Sequence, residues 1–206
     1  MKTLKQNDYH YWDGYFKGLG VKELLEMPDS YWELLTSDFI WHGLKGLKVQ
    51  DYVQDSDGNT IHYLKSEFLS MLNDFNYYEE KDIPLYRSIK VNNTEEIDFD
   101  NLGVCWTPVA KNLFYLERNV ILDEDYKRYL IRFSGSTPKD NIDWIESLYL
   151  YINYGGYEKE LRVLDSSKVT LRGYLYIDRE TFDIESNGDC EDIQIKDMES
   201  FKSFYL

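Results

Sequence analysis

Three short stretches of the chain carry residue types able to do chemistry. Arg87 stands in Leu85-Tyr86-Arg87-Ser88-Ile89, where alternation puts its side chain on the same side as Leu85, Ile89 and Val91. A guanidinium among aliphatic groups needs an anion, or else it buries its stem and carries its charged head out to water. Leu102-Gly103-Val104-Cys105-Trp106-Thr107-Pro108 reads as a strand stopped by proline, which either packs into the core or presents a thiol and a hydroxyl. Gly155-Gly156-Tyr157 is a flexible loop that runs into Glu158-Lys159-Glu160, and period two aims both carboxylates at one space.

The elements that must position these residues follow from periodicity. Residues 9–78 read as helical. Leu64, Phe68, Leu72 and Phe75 recur at helical spacing, Tyr31, Leu34, Leu35 and Trp41 do so one segment earlier, and a polar turn over Asp51 to Asn59 separates the two. From Pro84 the period becomes two. Strands are expected through Val91, over Tyr129 to Phe133 and over Val169 to Ile177, where Val169, Leu171, Leu175 and Ile177 share a face with Gly173. One short helix, over Ile142 to Ile152, interrupts the strands, with Asp140 as its expected cap. The chain therefore reads as an α+β protein: a helical N-terminal lobe over 1–80, then a β-rich core over 81–206, together one compact unit.

Composition narrows the functional classes. With 23 Lys and Arg against 38 Asp and Glu, the formal charge is -15, which disfavours direct nucleic-acid binding through a basic surface. His10, His42 and His62 are scattered and Cys105 is far from Cys190, so no metal site is expected. Gly18-Leu19-Gly20 lacks the third glycine of a dinucleotide fingerprint, and neither a phosphate loop nor a Gly-x-Ser-x-Gly elbow occurs. No apolar run is long enough to span a membrane, and no secretory leader is evident, so a reduced, cytoplasmic protein without membrane partners is expected.

In order and setting, Tyr86-Arg87, Gly103-Val104-Cys105-Trp106-Thr107 and Glu158-Lys159-Glu160 resemble the Arg-Ser-Glu class of mono-ADP-ribosyltransferases of bacterial toxins and bacteriophages. The resemblance covers about residues 80–177. It implies a mixed or antiparallel two-sheet core of that family, with NAD as substrate and no metal. It also implies roles: Arg87 to clamp the dinucleotide, Thr107 with Cys105 to orient the nicotinamide ribose, and Glu160 to stabilise the oxocarbenium-like sugar. Glu158 matches the carboxylate that goes with arginine as acceptor, and Tyr154 and Tyr157 could stack on NAD or on the target guanidinium. Asp143-Trp144 and the loop from Asn153 to Tyr157 take the place of the family's target-recognition loop. Cys105 departs from the pattern, since the family usually has a serine there and a thiol is a weaker hydrogen-bonding group.

The resemblance leads to an arginine-specific protein ADP-ribosyltransferase acting in the cytoplasm, the host's if the source is a phage. Its acidic surface would steer it to basic targets, nucleic-acid-binding proteins among them. The alternative from another class is a non-enzymatic acidic inhibitor that occupies a basic nucleic-acid-binding surface. A third reading keeps the fold but loses transfer, leaving an NAD glycohydrolase or a degenerate binding module.

Overall fold

In a computed structural model of the chain, the residues described are 16–41, 63–77, 81–114, 117, 127–153, 159–195 and 201. Helices α1 (Val21–Leu25), α2 (Asp29–Trp41) and α3 (Tyr63–Asp74) come first. On α3 the expected stripe is the buried one: Leu64, Phe68, Leu72 and Phe75 all lie inside. On α2 Leu35 is buried as expected, but it shares the inner face with Trp32, Thr36 and Phe39, while Tyr31 is half-buried, Leu34 is 45% exposed and the Trp41 side chain lies outside the described residues. That segment is apolar on more than one side, so spacing alone did not single out its inner face; packing of Trp32 on Phe68, 5.9 Å between ring centroids, selects it. The expected turn over Asp51 to Asn59 lies outside the described residues.

The rest is strand with one helix, which makes the chain α+β with two antiparallel sheets. Strands β1 (Asp82–Val91), β3 (Tyr129–Pro138), β5 (Thr170–Asp178) and β6 (Ile184–Gly188) form a four-stranded sheet in the order β1-β3-β5-β6, while β2 (Cys105–Trp106) pairs with β4 (Leu161–Arg162). Ile83, Leu85, Arg87, Ile89 and Val91 face one way, as alternation predicts, and pack with the helices; Tyr86 faces the other way into a smaller core with Leu130, Leu175 and Ile177. The expected single face of β5 is split. Between Ser134 and Gly135 the register jumps, so that Gly173 and Leu171 oppose adjacent residues and Arg172 is extra. This bulge sends Leu171 to the helical side and Leu175 and Ile177 to the other.

Helix α4 (Trp144–Asn153) lies against α2 and α3 through ring contacts of Tyr149 on Phe39 and Trp144 on Phe68. Its cap is Asp143, whose Oδ1 accepts from Glu146 N–H at 3.2 Å, and not Asp140. Asp140 falls in the 3₁₀ turn Lys139–Asn141, one turn too early for its carboxylate to reach those amides. Among the described residues no helix is long and apolar enough to cross a membrane.

The smaller core contains a buried ion pair. Arg132 donates from Nε and Nη2 to the two oxygens of Glu117, at 2.8 and 2.7 Å, and Ser88 Oγ donates to the same carboxylate at 2.7 Å. Glu117 is 2% exposed and Arg132 8%. Removing one member strands the other without water, so Glu117→Ala is expected to destabilise the fold by about 3–5 kcal/mol. Urea unfolding measures this as a lower midpoint at unchanged slope; a loss under about 1 kcal/mol would show that the pair is not desolvated in this way.

Candidate functional site

The site begins with backbone pairing between strands far apart in sequence. Tyr86 N–H donates to Thr107 O at 2.7 Å and Thr107 N–H to Tyr86 O at 2.9 Å, so the end of β2 is tied to the middle of β1. On its other side β2 pairs with β4, Cys105 opposite Arg162 and Trp106 opposite Leu161, and Val163 N–H extends the ladder to Val104 O at 2.8 Å. The bridge from β1 to the end of β2 and the pairing of β2 with β4 thus bring Arg87, Cys105 and the residue preceding β4, Glu160, near one another.

Arg87 leaves the apolar face of β1 half-buried. Its Nη1 donates to the Cys105 carbonyl, its Nε is buried without an acceptor, and among the described residues no carboxylate lies within ion-pair distance. Burial pushes the Arg87 guanidinium down from its ordinary value, and the nearby Cys105 and Glu160 partly offset this. A cation in that position has given up hydration without gaining a full partner.

Gly103 shapes the wall beside it. Its φ of +82° suits glycine, and an added Cβ would stand 3.0–3.3 Å from the guanidinium atoms of Arg87. The motif around Cys105 was legible in the sequence, but this close approach was not, since it depends on β1 and β2 being neighbours.

Burial, then the hydrogen bond and charge of Glu160, push the Cys105 thiol up to about 11, with Arg162 and Arg87 pulling less strongly the other way. Cys105 is therefore a neutral S–H at physiological pH, close to the Glu160 carboxylate, and not a thiolate nucleophile. Both cysteines are free. Thr107 is placed otherwise than expected. It is fully buried, and its hydroxyl serves the local turn, accepting from Val109 N–H at 3.3 Å. Its contribution here is to hold β2 on β1, and the polar group that faces Glu160 is Cys105.

The approach to Glu160 is anchored by residues that spacing did not single out. Lys159 has φ +45° and its Nζ lies 3.1 Å from Asp74 of α3, which also accepts from Tyr151 of α4 at 3.2 Å. Ser147 Oγ accepts from Arg162 N–H at 2.9 Å, and Asp143 N–H donates to Arg162 O at 2.8 Å, which ties the start of α4 to β4. Their signal in the sequence was faint: a serine one turn into a helix and a lysine in a Glu-Lys-Glu triplet. Tyr154, Tyr157 and Glu158 lie outside the described residues.

Compared with known proteins, the chain matches no family model, no curated protein and no solved structure.

Two measurements probe the geometry. Gly103→Ala is expected to cost about 1 kcal/mol or more through backbone strain and to displace the Arg87 guanidinium; wild-type stability with an unmoved Arg87 would contradict it. In peptide mapping after iodoacetamide treatment, Cys105 of the folded protein is expected to resist alkylation at pH 8 and to react as the pH approaches its value of about 11. Rapid labelling at pH 8 would place a thiolate there instead.

Proposed function

We propose that the chain is an NAD-dependent mono-ADP-ribosyltransferase that modifies a protein on arginine, built on the two-sheet core of that family. The observation that carries this reading is Arg87: a half-buried guanidinium without an ion-pair partner among the described residues, set beside Cys105 and Glu160 by strands remote in sequence. A planar fork whose Nε lacks an acceptor suits the pyrophosphate or ribose of a dinucleotide, where parallel donors meet paired oxygens.

The reaction would break the bond between nicotinamide nitrogen and ribose C1′, the electron pair leaving with neutral nicotinamide. Positive charge then develops on the sugar, as in glycoside hydrolysis, and the Glu160 carboxylate stabilises it. Cys105 S–H orients that carboxylate, and its high proton affinity keeps it a donor throughout the neutral range. A guanidine nitrogen of the target then attacks C1′ from the opposite face. The proton it gives up passes to Glu158, in the role the family resemblance assigns. Products are nicotinamide, a proton and the ADP-ribosylated arginine, so no metal or oxidant is needed for the balance.

Labelled NAD with the purified protein and a cell lysate tests the class, a labelled protein band being the expected result. Glu160→Gln is expected to lower both transfer and NAD cleavage by about a hundredfold or more. Arg87→Lys is expected to raise KM for NAD about tenfold by loss of the bidentate fork. Glu158→Gln should lose arginine modification while retaining NAD hydrolysis. The acidic charge of -15 favours one rival, an inhibitor of a basic nucleic-acid-binding surface. For such a protein Glu160→Gln would leave activity intact and no NAD would be consumed.

A further inference from the structure

The face of the four-stranded sheet that carries Arg87 does not end at the candidate site. Register places Arg87, Phe133 and Tyr174 in one row across β1, β3 and β5, with Asn187 of β6 next in line, and Ile89, Ile131, Tyr176 and Glu185 in the following row. Above the far end of these rows, the 3₁₀ turn Thr94–Glu96 and the segment to Phe99 enclose a groove of about 580 Å³ with the sheet. Its lining includes Glu95, Phe99, Tyr174, Tyr176, Glu185 and Asn187.

The rings are held before any ligand arrives. Phe99 sits 5.4 Å from Tyr174 at 48° and 6.1 Å from Phe133 edge-on, yet remains 45% exposed. Tyr174 accepts a hydrogen bond from Asn187 Nδ2 at 3.1 Å, and Tyr176 stacks on Tyr129 at 5.1 Å. Fixed rings reduce the ordering cost of binding. Among the described residues neither Glu95 nor Glu185 is in an ion pair. Aromatic faces attract cations through their quadrupole, and carboxylates at the rim add charge attraction while repelling phosphates. The combination selects a flat cation over a nucleotide.

We infer that this groove docks an arginine side chain of a basic protein partner, its guanidinium layered on the Phe99, Tyr174 and Tyr176 rings and paired at the rim with Glu95 or Glu185. Tyr174 stands two strands from Arg87, about 10 Å between backbones. An extended stretch of about three residues spans that distance. If the partner is the protein modified at Glu160, which rests on the reading above, the groove holds a second basic residue of the same segment while the first is positioned for transfer. Docking itself needs no catalysis.

Fluorescence anisotropy with a labelled Gly-Arg-Gly-Arg-Gly peptide, in the absence of NAD, tests the groove independently of any transferase activity. Phe99→Ala and Glu185→Gln are each expected to weaken binding about threefold to tenfold, with circular dichroism unchanged in both and melting temperature unchanged in Glu185→Gln, whereas loss of the Phe99 contacts with Phe133 and Tyr174 lowers it slightly in Phe99→Ala. The same variants should cleave NAD in water at the wild-type rate if the chain is a transferase. Raising the salt should weaken the peptide, and its citrulline counterpart should not bind. Equal binding of the citrulline peptide, wild-type affinity in both variants, or displacement of the peptide by AMP would overturn the inference, the last in favour of a nucleobase groove. Absence of NAD cleavage in the wild type would defeat the proposed activity while leaving these outcomes readable.

Discussion

Two hydrogen bonds between the backbones of Tyr86 and Thr107 hold the candidate site together. They join β2, which has only two residues in regular pairing, to the long strand β1, and through β2 they bring in β4. β1 and β4 belong to separate sheets, and this bridge, with the Arg87 Nη1 bond to the Cys105 carbonyl, is what brings Arg87 near Glu160. The buried Thr107 hydroxyl turns the chain toward Val109 immediately after the bridge, so β2 ends at that point and does not continue along β1. Gly103 does the complementary work at the other end by letting the backbone pass against the guanidinium.

β1 and its neighbour β3 carry two arginines whose surroundings are opposite. Arg132, on the side of the smaller core, has its charge met by a bidentate carboxylate, a backbone carbonyl of Ile193 and the ring of Phe201. Arg87, on the side of the larger core, has one carbonyl and the remote charge of Glu160. A protein that needed Arg87 only for packing would lose little with an aliphatic residue there and would avoid the desolvation. The unmet charge is the physical reason for assigning it to a ligand. Beyond the buried Phe133 and Ile131, the same rows of the sheet end in the groove lined by Phe99, Tyr174, Tyr176, Glu95 and Glu185.

Legibility in the sequence varied with how local the deciding force was. The α3 stripe and the alternation of β1 were readable because a single burying face imposes its period directly. On α2 spacing alone places Leu34 inside although it is exposed, since several apolar residues lie on different sides of that helix and only contact with Phe68 separates them. Alternation alone gives β5 one continuous face, because a bulge leaves no mark in it until the partner strand is known. The cap moved from Asp140 to Asp143 for a similar reason: Ile142 is drawn into a bridge with Val163, which delays the start of the helix.

By itself the sequence determined the α+β class, the main strands, the residue types available for chemistry and an acidic surface. These depend on side-chain period, composition and charge, all of which are properties of short windows or of simple sums. Only the tertiary structure decided that Arg87, Cys105 and Glu160 are neighbours, that Thr107 is sealed in a turn, and that Phe99 closes a groove over Tyr174 and Tyr176. Each of those outcomes depends on which strands pair and in what register. Pairing is settled by the burial of distant segments against one another, a free energy that no single stretch of the chain contains.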